Sequence, residues 1–150
     1  MWMPSQNVEA LYDTYDHWGR GDWAYLPTIY ADDFEWGYSE EFPGISGVWR
    51  DTRTPNPRIQ SWLDPWEHWQ CEAEDYVELG DTVIVLTRYR GRGKASGLDV
   101  DVPGAHVWEM RDGMATRLEI FADREAVLKK HEAPPQGGAS RDTSLYRETD

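Results

Sequence analysis

Four side chains in this sequence could carry proton or charge chemistry: His106, Arg88, Tyr38 and Asp123. An imidazole, with an ordinary pKa of about 6.5, can give or take a proton near neutral pH. A guanidinium can hold a carboxylate, an enolate or a carbonyl oxygen. A phenol can orient a ligand oxygen, and a carboxylate can act as acid or base. Each has a plainer alternative. His106 can be a packed histidine bonded to a backbone carbonyl. Arg88 and Arg90 can sit at a cavity mouth, paired with Glu40, Glu41 or Asp101. Tyr38 can line that mouth and bond water. Trp36, Trp62, Trp66 and Trp108 taken singly read as core, but together they favour a pocket for a flat apolar or aromatic ligand.

These groups must be held by elements, and the hydrophobic pattern supplies them. Residues 5 to 19 read as a helix capped by Ser5, with Val8, Leu11, Tyr12, Tyr15 and Trp18 at spacings of three and four. Asp22 can cap a second short helix over about 23 to 30. Residues 32 to 38 alternate Phe34, Trp36 and Tyr38 against Glu35 and Gly37, as a half-buried strand does. A Gly-, Pro- and Ser-rich loop over about 39 to 57 reads as a lid. Residues 58 to 69 place Ile59, Trp62, Trp66 and Trp69 on a helical stripe that Pro65 bends or interrupts. Gly80-Asp81 and Asp112-Gly113 are hairpin signals between strands. A last helix runs from Asp123 to about His131, and residues 132 to 150 read as a polar tail. In the stretch GAHVWEMRDG, His106, Trp108 and Met110 point one way and Ala105, Val107, Glu109 and Arg111 the other.

Composition narrows the function. A chain of 150 residues suggests one domain, long enough to bury a core without disulfides or metals. A net charge of −13 argues against nucleic acid and anionic membranes as partners. Cys71 is the single cysteine, so no intrachain disulfide forms, and it reads as a buried bystander. The four histidines lack metal-ligand spacing. The stretch GRGKASG sits at a hairpin, not at a helix start, so it is no phosphate loop. The first residues carry no apolar signal-peptide core, and no apolar run reaches the roughly 20 residues of a membrane span. A cytoplasmic location is the expectation.

In element order and in four stretches the chain resembles the SnoaL-like branch of the nuclear transport factor 2-like superfamily. The stretches are GDW followed by YADDFEW, then ELGDTVIVLTRYRGRGKASG, AHVWEMRDG and LEIFADREAVL. The resemblance covers about residues 5 to 131. It implies a cone-shaped α+β barrel, in which a curved antiparallel sheet wraps around N-terminal helices and leaves one deep apolar pocket. Many members dimerise through the outer sheet face. Relatives include ketosteroid isomerases, polyketide cyclases, limonene epoxide hydrolases, dehydratases and non-catalytic binding proteins, so the fold alone does not decide function.

Carried over residue by residue, the isomerase base falls on Tyr38, its acidic donor on His106, and its helix tyrosine near Thr14 or Tyr15. The epoxide hydrolase Arg-x-Asp and late Asp fall on Arg88, Arg90 and Ala122, so only the arginine survives. The cyclase aspartate near the end of the last strand corresponds to Asp123, one residue off the inward parity. The same alignment implies an inward set: Phe34, Trp36 and Tyr38; Ile84, Leu86, Arg88 and Arg90; His106, Trp108 and Met110; Leu118, Ile120 and Ala122. The leading expectation is a cofactor-free, metal-free enzyme, active as a homodimer, that moves a proton on a small apolar or aromatic carbonyl compound. His106 would be the acid/base, Arg88 and Tyr38 would steady the oxygen, and Tyr15, Trp36, Trp62, Trp66, Trp108, Ile120 and Ala122 would line the pocket. The alternative is a non-catalytic ligand-binding or dimerisation module.

Overall fold

The structure, a computed structural model, describes residues 5–23, 25, 28–39, 47–49 and 63–131. The expected lid loop falls almost wholly outside these residues. Trp62, Glu40, Glu41 and the polar tail lie outside them too, as do Ala24, Leu26 and Pro27 of the expected second helix.

Helix α1 (Gln6–Gly19) begins where Ser5 accepts a hydrogen bond from the Val8 N–H at 3.2 Å. This satisfies one of the N–H groups that a helix start leaves open. It is followed by β1 (Tyr30–Tyr38), β2 (Gly47–Trp49), β3 (Trp66–Leu79), β4 (Thr82–Gly93), β5 (Asp99–Arg111), β6 (Met114–Phe121) and helix α2 (Arg124–Lys130). Leu79 pairs with Thr82 across Gly80-Asp81, and Arg111 pairs with Met114 across Asp112-Gly113. Asp112 and Gly113 both have positive φ, 54° and 78°, as the tightest hairpin turn requires.

The strands form one sheet in the order β2-β1-β6-β5-β4-β3. One pairing departs from the expected antiparallel sheet: β1 runs parallel to β6. The chain returns with β6 beside β1 after a long excursion, and a parallel neighbour needs that kind of crossover, not a hairpin. Helix α1 packs on the inner face, where Val8, Leu11, Tyr15 and Trp18 join Phe34, Trp36, Val83, Val85, Trp108, Met110, Leu118 and Ile120. Helix α2 packs on the outer face, where Val127 meets Val77, Ile84, Leu86, Ala105 and Val107.

Two sequence expectations need correction. Residue Tyr30 belongs to β1, and the Ile29 carbonyl already accepts from the Ala115 N–H at 2.7 Å, so the expected second helix does not extend to them. Trp66 and Trp69 lie on β3, not on a helix. Their spacing of three comes from a bulge: Glu67 pairs with Arg92 and Gln70 with Arg90, leaving one extra residue on β3, and His68 takes φ 55°. An inserted residue brings i and i+3 to one face of a strand, which imitates a helical stripe. The two indoles lie 4.8 Å apart.

Candidate functional site

The inner face of β4 and β5 gathers an ordered polar group inside an aromatic wall. His106 is 1% exposed. Its Nδ1 lies 2.5 Å from the Tyr15 hydroxyl, and its Nε2 lies 2.6 Å from the Tyr89 hydroxyl. The Trp108 Nε1–H donates to the Tyr15 oxygen at 2.7 Å. Three elements meet here. Helix α1 supplies Tyr15, β4 supplies Tyr89, and β5 supplies His106 and Trp108. The register Val85↔His106 and Val83↔Trp108 puts the odd-numbered residues of β4 on the His106 side. Burial pushes the His106 pKa down to about 3, because a dry surrounding disfavours the charged ring. The ring is therefore neutral at neutral pH. Burial likewise pushes the Tyr15 and Tyr89 hydroxyls up, so both phenols keep their protons.

Aromatic side chains surround this group. Trp18 lies 6.0 Å from His106 and stacks on Trp108 at 6.2 Å. Trp36 lies 6.1 Å from Trp18 and stacks on Tyr38 at 6.4 Å. Tyr89 stacks on Trp69 at 5.5 Å. Tyr38 is half-buried on this face, and burial raises its hydroxyl pKa. Cys71 is fully buried, and burial pushes its thiol up. Ile120 pairs opposite His106 on β6. Of the residues singled out in the sequence, the structure thus brings together His106, Tyr38, Tyr15, Trp36, Trp108 and Ile120.

It separates Arg88, Arg90, Asp123, Ala122 and Trp66 from them. Arg88 pairs with Pro103, on the face opposite His106. There it donates to Glu74 at 2.9 Å and to Asp101 at 2.8 Å, and Arg124 donates to the other Glu74 oxygen at 2.8 Å. Arg90 reaches Glu72 and Asp101 on the same side. The inward parity expected for Ile84, Leu86, Arg88 and Arg90 is therefore reversed. Residues 83 to 86 are apolar on both sides because α1 covers one face and α2 the other, so alternation carries no sign there. Burial works to raise the Glu74 pKa, but hydrogen bonds from Arg124 and Arg88 outweigh it and hold the carboxyl below its ordinary value.

Asp123 caps α2, accepting from the Ala126 N–H at 3.0 Å. Ala122 is exposed and lines an outer groove of about 640 Å³ with Arg88, Pro103, Arg124 and Lys129. Trp66 lines a separate edge groove of about 320 Å³ with Trp23, His68 and Trp69.

Sequence reading missed Tyr89, Trp18 and Trp69. A signal for Tyr89 was present. Arg88, Arg90 and Arg92 occupy one alternating set of β4, while Val83, Val85 and Tyr89 occupy the other. Three arginines in alternation mark the solvent-facing side. Among the described residues, no group of three His, Cys, Asp or Glu is placed to hold a metal ion, and no helix is long and apolar enough to cross a membrane.

The sheet wrapped on α1, with its polar group buried among aromatics, defines a cone-like α+β fold. Residues 8–118 match the family model of the SnoaL-like domain, and the chain belongs to that family. Among solved structures it is similar to TerC co-crystallised with polyporic acid, at 24% identity over 85% of this chain and 99% of that one, with a TM-score of 0.69. It is similar to a nuclear transport factor 2-like protein from Burkholderia thailandensis, at 25% identity, 88% and 100% coverage and a TM-score of 0.67. It is also similar to a putative SnoaL-like polyketide cyclase from Jannaschia sp. CCS1, at 21% identity, 90% and 100% coverage and a TM-score of 0.61. Likeness at this level shows the fold. Among curated proteins none matches the chain.

Proposed function

We propose that the inner face takes a flat apolar or aromatic carbonyl compound and that the chain moves a proton on it, in the manner of an isomerase, cyclase or dehydratase. One observation carries this: a neutral imidazole is held between two phenol hydroxyls inside a wall of tryptophans. Such a wall favours planar apolar ligands, and a few convergent polar atoms in it would fix the ligand's oxygen. The co-crystal of TerC with polyporic acid supports a small organic ligand for this fold. Tyr38, half-buried and stacked on Trp36, supplies a further hydroxyl on the same face. Arg88 and Asp123 have no part in this reading, since Arg88 is held on the outer face and Asp123 caps α2. Homodimerisation through the outer sheet face belongs to the same proposal.

A specific observation favours a second reading, that of a binding module. Thr14, Thr87 and His106 are the polar residues buried among those described, so no buried carboxylate stands ready as a base. Deuterium exchange separates the two. The full chain is incubated with 1-tetralone in D2O, and loss of the α-proton signals is followed by NMR. Exchange above the buffer rate that falls at least about 100-fold in His106→Gln is the expected outcome. Ligand-induced quenching of tryptophan fluorescence without exchange would establish the binding module instead.

A further inference from the structure

We propose that Tyr89 is the residue that meets the ligand oxygen, and that Trp108, Tyr15 and His106 are positioning residues that aim its proton outward. This rests on the pocket reading above.

The direction of the hydrogen bonds follows from counting donors and acceptors. The Trp108 indole can only donate, so the Tyr15 oxygen accepts from it. Among the described residues Tyr15 bonds only Trp108 and His106. If His106 carried its proton on Nδ1, the Tyr15 oxygen would receive two N–H donors, and its own proton would be left without an acceptor in a side chain 4% exposed. Leaving such a group unpaired is costly. Tyr15 therefore donates to Nδ1. The neutral ring then carries its proton on Nε2 and donates it to the Tyr89 oxygen.

The Tyr89 proton is the one the relay does not use. Tyr89 is only half-buried, whereas His106 and Trp108 are sealed. Two polar groups lie within hydrogen-bonding reach of its hydroxyl, the Cys71 thiol, a weak acceptor, and the Thr87 hydroxyl, which can donate to the Tyr89 oxygen. The thiol competes only weakly for the Tyr89 proton with a ketone or enolate oxygen, the chemical class this site would take. Accepting the His106 N–H polarises the Tyr89 O–H and makes it a better donor. High phenol pKa values in Tyr15 and Tyr89 and a low one in His106 agree with a relay that stays neutral throughout.

The test has two arms. Histidine-selective ¹⁵N labelling of the full chain reads the tautomer: Nε2–H is expected for His106, and Nδ1–H would overturn the relay. The second arm compares 1-tetralone with tetralin, which differs from it by the carbonyl, using tryptophan fluorescence. In Tyr89→Phe, whose ring keeps its stacking on Trp69, the tetralone-to-tetralin affinity ratio should fall about tenfold, with tetralin binding retained. An unchanged ratio would overturn the role of Tyr89 alone. Failure of the wild-type chain to bind either probe would overturn the pocket reading and this one with it. Absence of deuterium exchange, by contrast, would remove only the catalytic reading and leave a fallen ratio as support for Tyr89 as the ligand's donor.

Discussion

On the inner face of β4 and β5, Tyr89 and His106 share a hydrogen bond of 2.6 Å and both are uncharged. On the outer face of the same two strands, Arg88 lies between Glu74 and Asp101 at 2.9 and 2.8 Å, fully ionised and partly open to water. The two faces solve the problem of a polar group on a sheet differently. Where water is excluded, the group gives up its charge and takes hydrogen bonds from neutral partners. Where water reaches, the charge persists and is matched by opposite charge. Neutral, buried groups are the ones whose hydrogen bonds hold a fixed direction, which is why the inner face can aim a proton and the outer face mainly decorates a surface.

Three experiments break or sharpen that contrast. The largest effect is the pH dependence of stability. The unfolded chain binds a proton at His106 near the ordinary value of 6.5, whereas the folded chain does so only near 3. Stability is complete above the unfolded value and is lost as pH falls through that window, at about 1.4 kcal/mol per pH unit. Urea denaturation from pH 7 to 4, with His106→Gln as the reference, should show this excess slope in the wild type. Parallel slopes would mean the imidazole is not sealed.

Next is Gly91→Ala. An alanine Cβ at this position would lie 2.6 Å from the Trp69 ring, which is 8% exposed and stacked on Tyr89. Overpacking of this kind costs about 1–3 kcal/mol. A midpoint close to wild type would show that Trp69 is free to move and does not brace Tyr89.

Smallest is Arg88→Met. Partly exposed ion pairs are worth about 0–1 kcal/mol, so stability should change little and 1-tetralone affinity not at all. A large loss of that affinity would return Arg88 to the binding face and reverse the assignment of the two sides.

Much of the molecule was legible in the sequence. Ser5 and Asp123 cap α1 and α2 as their side-chain chemistry dictates. Gly80-Asp81 and Asp112-Gly113 close the hairpins. The inward set of β1, and Leu118 and Ile120 of β6, alternate because one side of each is more polar than the other, whereas Ala105 and Val107 are buried on the far side of β5 and its parity came from the family resemblance. The candidate site was half legible. His106, Trp108, Tyr38 and Trp36 were found by parity. Tyr89 was missed because β4 was read with the wrong face inward.

What the sequence determined by itself was local: where helices start, where strands turn, and which residues alternate where only one face is apolar. The tertiary structure alone decided three things. It set the side of β4 that faces α1, because both sides of residues 83 to 86 are buried and alternation then carries no information. It turned the Trp66 and Trp69 pair into a bulged strand, because an inserted residue and a helical turn give the same spacing. And it gave His106 its partners, because Tyr15 is 91 residues away in the chain and Tyr89 is 17, and bonds of that span are set by how α1 packs against the sheet and not by any neighbouring residue.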